Sequence, residues 1–247
     1  MRHIFIWCLL NIIHILAMFS ISHAGEVDIK IRVVTENSFP VQYIENGKIS
    51  GPGTKLVEQV LSTSGLSYDI EVLPWARAYY LATHEPNVLI YSLAKTPARM
   101  QLFKWVGRIK SLNYYLYGHE HENINFQTPL ETLKQYKIGT VRDSAVYQYL
   151  TSHGFKKLTT VVRGQQNFLL FEQNRIDLLP INKFSFAAIC MRNKLPCEQM
   201  KPLYKLDMPS VDLYMAFSKL TDDALVEKVQ AAYNIIASQH SELIGVN

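Results

Sequence analysis

Arg99 follows Thr96, Pro97 and Ala98 directly behind an apolar run at 88–93. The run reads as a strand, Thr96 as a helix N-cap, and Pro97 as the first helical residue, where its missing N–H is not needed. Arg99 then falls in the first turn of that helix. Free N–H groups already give the first turn partial positive charge, so a cation there is favourable when an anion joins it. A carboxylate fits, because a planar guanidinium and neighbouring N–H groups form a fork for its two oxygens. The plainer alternative is an exposed arginine paired with a surface carboxylate.

A second strand end lies upstream. Residues 68–73 read as a strand leading into Pro74, Trp75, Ala76, Arg77 and Ala78, which adds an aromatic face and a second guanidinium. In open α/β sheets ligands bind outside the carboxyl ends of the strands. Trp75, Arg77, Arg99 and, within the apolar strand itself, Ser92 are therefore candidate ligand-binding residues. Trp75 taken alone also fits core packing.

Little else in the chain offers catalytic or metal chemistry. His119, Glu120, His121 and Glu122 are superficially metal-like, but alternating polar residues after a strand read as a solvated loop. His84, His153 and His240 stand alone, and no serine or cysteine has a convincing partner arrangement for nucleophilic attack. No catalytic residue, metal or cofactor is expected. Cys190 and Cys197 bracket a short loop that a disulfide closes readily in an exported protein. Metal binding is the alternative, although the spacing is wider than in usual zinc pairs and no histidine lies nearby.

The 247 residues, 48% of them hydrophobic and without repeats, describe a globular chain of one or two domains. Lys and Arg total 25 against 21 for Asp and Glu, too mild a balance to suggest nucleic acid. Arg2 and His3 precede an apolar run at 4–21, and Ser22-His23-Ala24 supplies small residues at the two positions a signal peptidase reads. Residues 1–24 thus read as a signal peptide cleaved after Ala24, with a membrane-anchoring helix as the rival reading. The mature chain is expected to be soluble in the oxidising periplasm.

Strands and helices alternate along the mature chain. Strands are expected at 29–34, 68–73 and 88–93, with helices at 53–64 and 77–83. An aromatic-rich strand at 111–117 and a polar loop at 119–127 precede a second series. That series has strands at 137–141 and 176–180, helices at 144–152, 165–173 and 184–191, and a returning strand at 212–217. A final helix at 222–238 places Leu225, Val229, Ala232 and Ile236 on one face, with Thr221 or Asp222 as its cap. Such alternation argues for βαβ units and mostly parallel sheets flanked by helices. Two series joined by two strand-like crossings imply an α/β protein of two lobes with a hinged cleft between them. Lobe 1 is expected to comprise 25–115 and, after the return hinge, 213–247; lobe 2 comprises 116–212.

These features resemble the bacterial extracellular solute-binding proteins of family 3, type II periplasmic binding proteins that include polar amino-acid binders. The resemblance covers Val27 to Ile244. It rests on Ser38-Phe39-Pro40-Val41-Gln42-Tyr43, Pro74-Trp75, and Thr96-Pro97-Ala98-Arg99 with Phe103 and Trp105 following. Ile138-Gly139-Thr140-Val141-Arg142-Asp143 and Asn174-Arg175-Ile176-Asp177 complete it. The resemblance implies two lobes closing on a small solute, with Arg99 gripping its carboxylate, Trp75 as an aromatic platform and Ser144 completing the carboxylate site. Arg142 and Tyr43 join the candidate residues, whereas Asp177 is expected to be structural. Two departures stand out. Amino-acid binders usually carry a carboxylate where this chain has Asn182, and a hydroxyl residue where it has Ala94. Glu36 could supply the missing negative charge from the cleft mouth, although a solvated glutamate is the plainer reading.

The expected function is a monomeric periplasmic protein that captures a small carboxylate-bearing polar solute and delivers it to the membrane subunits of an ABC importer. Two alternatives accompany it. One is an exported enzyme resembling cyclohexadienyl dehydratases, with Glu36 or Asp143 as acid or base. The other is an orphan sensory domain that signals to a membrane partner.

Overall fold

The computed structural model describes residues 30–119, 124–194, 197–208 and 211–239. Residues 1–24 and the group Glu120, His121 and Glu122 lie outside them. In chain order the elements are β1 (Ile31–Thr35), β2 (Tyr43–Glu45), β3 (Lys48–Ser50), α1 (Pro52–Ser64), β4 (Tyr68–Val72), α2 (Trp75–His84) and β5 (Val88–Ala94). A 3-10 turn (Pro97–Arg99) leads to β6 (Phe103–Leu112) and β7 (Tyr114–His119). A second 3-10 turn (Leu130–Gln135) precedes β8 (Ile138–Val141), α3 (Ala145–Ser152), β9 (Leu158–Val161), α4 (Gln166–Glu172), β10 (Leu179–Asn182) and α5 (Lys183–Asn193). A third (Cys197–Gln199) precedes β11 (Met200–Lys205), β12 (Val211–Ser218) and α6 (Asp223–Gln239).

The larger sheet has the order β4-β1-β5-β12-β6. β1 runs parallel to β4 and β5, while β12 is antiparallel to β5 and β6. Every residue of β5 is buried because helices cover both faces of this central strand. Leu89 and Tyr91 share a cluster with Leu56 and Val57 of α1 and Val229 of α6, while Ile90 packs with Ala78 and Leu81 of α2. Ser92 breaks the alternation. Its φ of 57° coincides with a register shift between Tyr214 and Ala216 of β12, and Leu93 beyond it returns to the α2 side. A bulge of this kind re-aims side chains at the end of a strand.

The second lobe combines an antiparallel sheet, β10-β7-β11, with the parallel pair β8-β9, linked by a bridge between Ile138 and Leu178. The two-lobed α/β architecture holds, but its sheets are mixed where mostly parallel ones were expected. Asn113 alone separates β6 in the first sheet from β7 in the second. The chain returns through β12, whose Val211 pairs with Leu112. The two crossings thus lie side by side as a double hinge. α6 is fastened to this region: Gly107 leaves room for the Tyr233 ring, which an added Cβ would meet at 2.3 Å, and the Tyr233 hydroxyl donates to the Arg108 carbonyl at 2.7 Å.

Several elements differ from expectation. The expected strand at 111–117 is two strands, β6 and β7, and the strand expected at 176–180 begins at Leu179. The hairpin β2–β3 and the strands β9 and β11 are additional. Behind β5 no α-helix forms: a single 3-10 turn ends at Arg99 and the chain enters β6 at Phe103, so no helix dipole acts on Arg99. Thr96 makes no side-chain cap there. Asp222 does cap α6, accepting from Ala224 N–H at 2.9 Å, and Asp177 holds the second lobe by accepting from Lys137 N–H at 2.7 Å. Cys190 and Cys197 form a disulfide with a Cα–Cα distance of 6.0 Å.

Candidate ligand site between the lobes

The strand ends of the larger sheet and the facing edge of the second lobe line a cavity of about 150 Å³. From lobe 1 its wall takes Glu36 just beyond β1, Trp75 at the start of α2, Ser92 of β5, and Arg99. Tyr114 joins the wall from the start of β7, where the chain crosses to the second sheet, and lobe 2 contributes Ser144 ahead of α3 and Asn182 at the end of β10.

Arg99 is only 1% exposed, and its guanidinium points inward. Nη2 donates to the Asp143 carbonyl at 2.9 Å, Nε to Gln148 Oε1 at 3.1 Å, and Nη1 to the Ala94 carbonyl at 3.4 Å. The guanidinium carbon lies 5.5 Å from the Trp75 ring centre and 4.9 Å from that of Tyr79. The hydrogen bonds to Asp143 and Gln148 cross between lobes, so Arg99 latches the lobes as well as facing the cavity. Trp75 assists, with Nε1 donating to the same Asp143 carbonyl at 3.0 Å. Asp143 has a φ of 58°, left-handed backbone that aspartate tolerates better than most residues. Burial presses the Arg99 guanidinium below its ordinary pKa, opposed by Tyr79, Asp143 and Glu36. An arginine nevertheless keeps its charge in a protein.

Glu36 is the counter-charge of the cavity. Among the described residues nothing donates a hydrogen bond to its carboxyl, and Arg99 acts on it through space without forming an ion pair. Its side chain keeps some accessible surface, yet loss of hydration governs its titration. Glu36 lies half-buried in the wall of that cavity, among side chains from both sides of the cleft. Desolvation pushes its pKa up to about 7 against the opposing pull of Arg99. Tyr114 is pushed up to about 12 by burial and then by Glu36, while Asn182 hydrogen-bonds to it and opposes the rise.

The remaining polar residues of the wall are largely engaged. Ser92 Oγ donates to Gln42 Oε1 at 2.7 Å. Ser144 caps α3 by accepting from Tyr147 N–H at 3.1 Å, and Asn182 caps α5 by accepting from Ser185 N–H at 2.8 Å while donating to Ser185 Oγ at 3.0 Å. An asparagine held this way does not act as a free counter-ion. Thr140 and Asn167 each keep a buried side-chain oxygen without a partner.

Three candidate residues stand outside the cavity wall. α2 begins at Trp75, two residues earlier than expected, and two helical positions turn Arg77 about 200° away from Trp75. Its guanidinium is exposed beside the Tyr80 ring, 5.7 Å away. Arg142 is exposed between β8 and α3. Tyr43 contacts Phe39 edge-on at 4.9 Å, and the Arg192 guanidinium of α5 sits 4.4 Å over Phe39 and 5.1 Å over Tyr43. Arg192 also approaches Glu45 at 3.6 Å, which adds a second clasp between the lobes. Sequence reading missed Tyr114, Gln148, Gln42 and the Asp143 carbonyl. Only the aromatic cluster around Tyr114 offered a signal.

No protein-family model matches this chain, and no curated protein matches it in sequence. Among solved structures it is similar to ArtJ, the arginine-, lysine-, histidine-binding protein of Geobacillus stearothermophilus. The TM-score is 0.75 at 16% identity, over 87% of this chain and 93% of that one. The fold is that of the two-lobed periplasmic binding proteins. A histidine kinase sensor domain with similarity to periplasmic binding proteins gives a TM-score of 0.75 at 15% identity, over 87% of this chain and 93% of the other. The amino acid ABC transporter substrate-binding protein AbpA of Streptococcus pneumoniae, bound to L-arginine, gives 0.71 at 14% identity, over 87% and 91%.

Proposed function

We propose that this chain is an exported solute-binding protein whose lobes, divided as 25–115 with 213–247 and 116–212, close on a small carboxylate-bearing polar solute of amino-acid type. One observation carries the reading. A buried guanidinium and a half-buried carboxyl face the same interlobe cavity without pairing with each other, and that guanidinium also latches the lobes. Arg99 receives the solute carboxylate, Trp75 orders Arg99, and Ser92, Ser144 and Asn182 shape the polar wall. The fold shared with AbpA, an amino acid ABC transporter substrate-binding protein, supports delivery to an ABC importer. The likeness to a sensor domain supports a second reading, in which the same capture signals to a membrane partner. A dehydratase-like enzyme needs a positioned acid and base; Glu36 faces the cavity but Asp143 offers it no side chain in the wall, so the geometry favours binding.

A thermal-shift screen of the mature protein against amino acids, dicarboxylates, amines and short peptides tests the reading, because a ligand specific to the folded state raises the melting temperature. The expected hit is an amino-acid-like carboxylate whose affinity falls in Arg99→Ala. A hit confined to solutes without a carboxylate overturns it. Mass spectrometry of the exported protein is expected to find Gly25 at the N-terminus, and a retained Met1 would refute cleavage.

A further inference from the structure

Glu36 is the one acidic side chain in the cavity wall among the described residues, and it has neither a hydrogen-bond donor nor an ion-pair partner. A half-buried carboxylate set into a cavity wall without partners loses part of its hydration, and the group relieves that cost by holding a proton. Asn182 in the opposite wall cannot share the charge, because its amide is engaged with Ser185. Arg99 directs its hydrogen bonds to Asp143, Gln148 and Ala94 rather than to Glu36. The site therefore has a place for one cation, beside Glu36, and in acidic solution that place carries a proton until a cation arrives.

We propose that Glu36 receives the protonated amine of the solute and gives up its own proton to the solvent as it does so, which makes capture proton-linked. This rests on the solute-binding reading above. The balance is simple: the ammonium keeps its three N–H bonds and donates to the carboxylate, while one proton passes from the Glu36 carboxyl to buffer. The titratable groups facing Glu36 in the wall are Arg99 and Tyr114. Arginine stays cationic and Tyr114 stays neutral between pH 5.5 and 7.5, so neither supplies the linkage. Desolvation that raises the Glu36 pKa to about 7 sets the window. Above it the carboxylate is ready for the cation. Below it each solute must displace a proton, and affinity falls by about 20-fold between pH 7.5 and 5.5.

The test is calorimetric titration of the parent and Glu36→Gln with L-arginine and L-glutamine, neither of which titrates in this range, at both pH values and in two buffers of different ionisation enthalpy. The parent is expected to lose about 20-fold in affinity at pH 5.5 and to release close to one proton per solute there. Glu36→Gln is expected to bind at least about 10-fold more weakly at pH 7.5 and to lose both the pH dependence and the proton release. Binding by the parent with equal affinity at both pH values, or Glu36→Gln that binds like the parent, overturns the role of Glu36 and leaves solute binding intact. Failure of both amino acids to bind at either pH overturns the amino-acid reading and this inference together.

Discussion

Trp75→Phe separates lobe closure from folding. Trp75 makes two kinds of contribution: its ring is 3% exposed in a lobe 1 cluster with Ala78, Leu81 and Leu93, and its indole N–H reaches the Asp143 carbonyl of lobe 2 at 3.0 Å. A phenyl ring keeps most of the packing and loses the donor. A neutral hydrogen bond contributes a net ~0.5–1.5 kcal/mol. The low end applies here, because the Asp143 carbonyl still accepts from Arg99 at 2.9 Å and is not orphaned. The expected loss of about 0.5–1 kcal/mol of closure corresponds to a two- to fivefold rise in Kd at nearly unchanged Tm. Trp75→Ala should behave differently, costing about 3–5 kcal/mol of folding stability and roughly 6–20 °C in Tm. The assays are calorimetric titration with the solute from the thermal-shift screen and thermal denaturation of both variants. Parental affinity in Trp75→Phe would show that the indole N–H takes no part in closure, and a parental Tm in Trp75→Ala would refute the burial argument.

Arg99→Ala should weaken solute binding about 10- to 100-fold or more, from the loss of charge-assisted hydrogen bonds of about 1.5–3 kcal/mol each, and Arg99→Lys should recover only part; titration of both folded variants decides this. Replacing Cys190 and Cys197 together by serine should lower stability by about 2–3 kcal/mol through the freedom returned to the unfolded chain, read by urea denaturation at parental m-value. Glu36→Gln should raise Tm at pH 8 but not at pH 4. A carboxyl whose folded pKa of about 7 exceeds its unfolded value destabilises the protein progressively as pH rises from about 4.5 through 7. A Tm difference independent of pH would refute the raised pKa.

Most of the first lobe was legible in the sequence because its core strands are apolar on both faces and its helices show a clear apolar stripe. β11 was hidden by Pro202, which sits where the register shifts between Pro202 and Tyr204. β9 is four residues with two threonines and no apolar alternation. β6 carries Lys104, Arg108 and Lys110 among its buried residues, and two register shifts against β12 break the alternation that marks a half-buried strand. For the site, residue type identified Arg99, Trp75 and Glu36 as candidates. The surroundings were out of reach, since a backbone carbonyl such as that of Asp143 has no identity in a sequence, and a residue's distance from it is set by how two lobes meet. The reading of Arg99 as a helix-start cation failed on chain geometry, because Phe103 enters a strand too soon for a helix to form.

The stack of Arg192 on Phe39 bears on time rather than on strength. Phe39 belongs to the cavity wall, and Arg192 meets it from the other lobe at 4.4 Å. A contact of that range forms only when the lobes have almost shut, so it does nothing to speed a solute's arrival. On the solute-binding reading proposed above, its whole effect falls on departure: the stack must part before the lobes swing open, and the residence time of the solute lengthens while the capture rate stays the same. Because Arg192 lies within the covalent ring closed by Cys190 and Cys197, the persistence of that dwell depends on an oxidised surrounding.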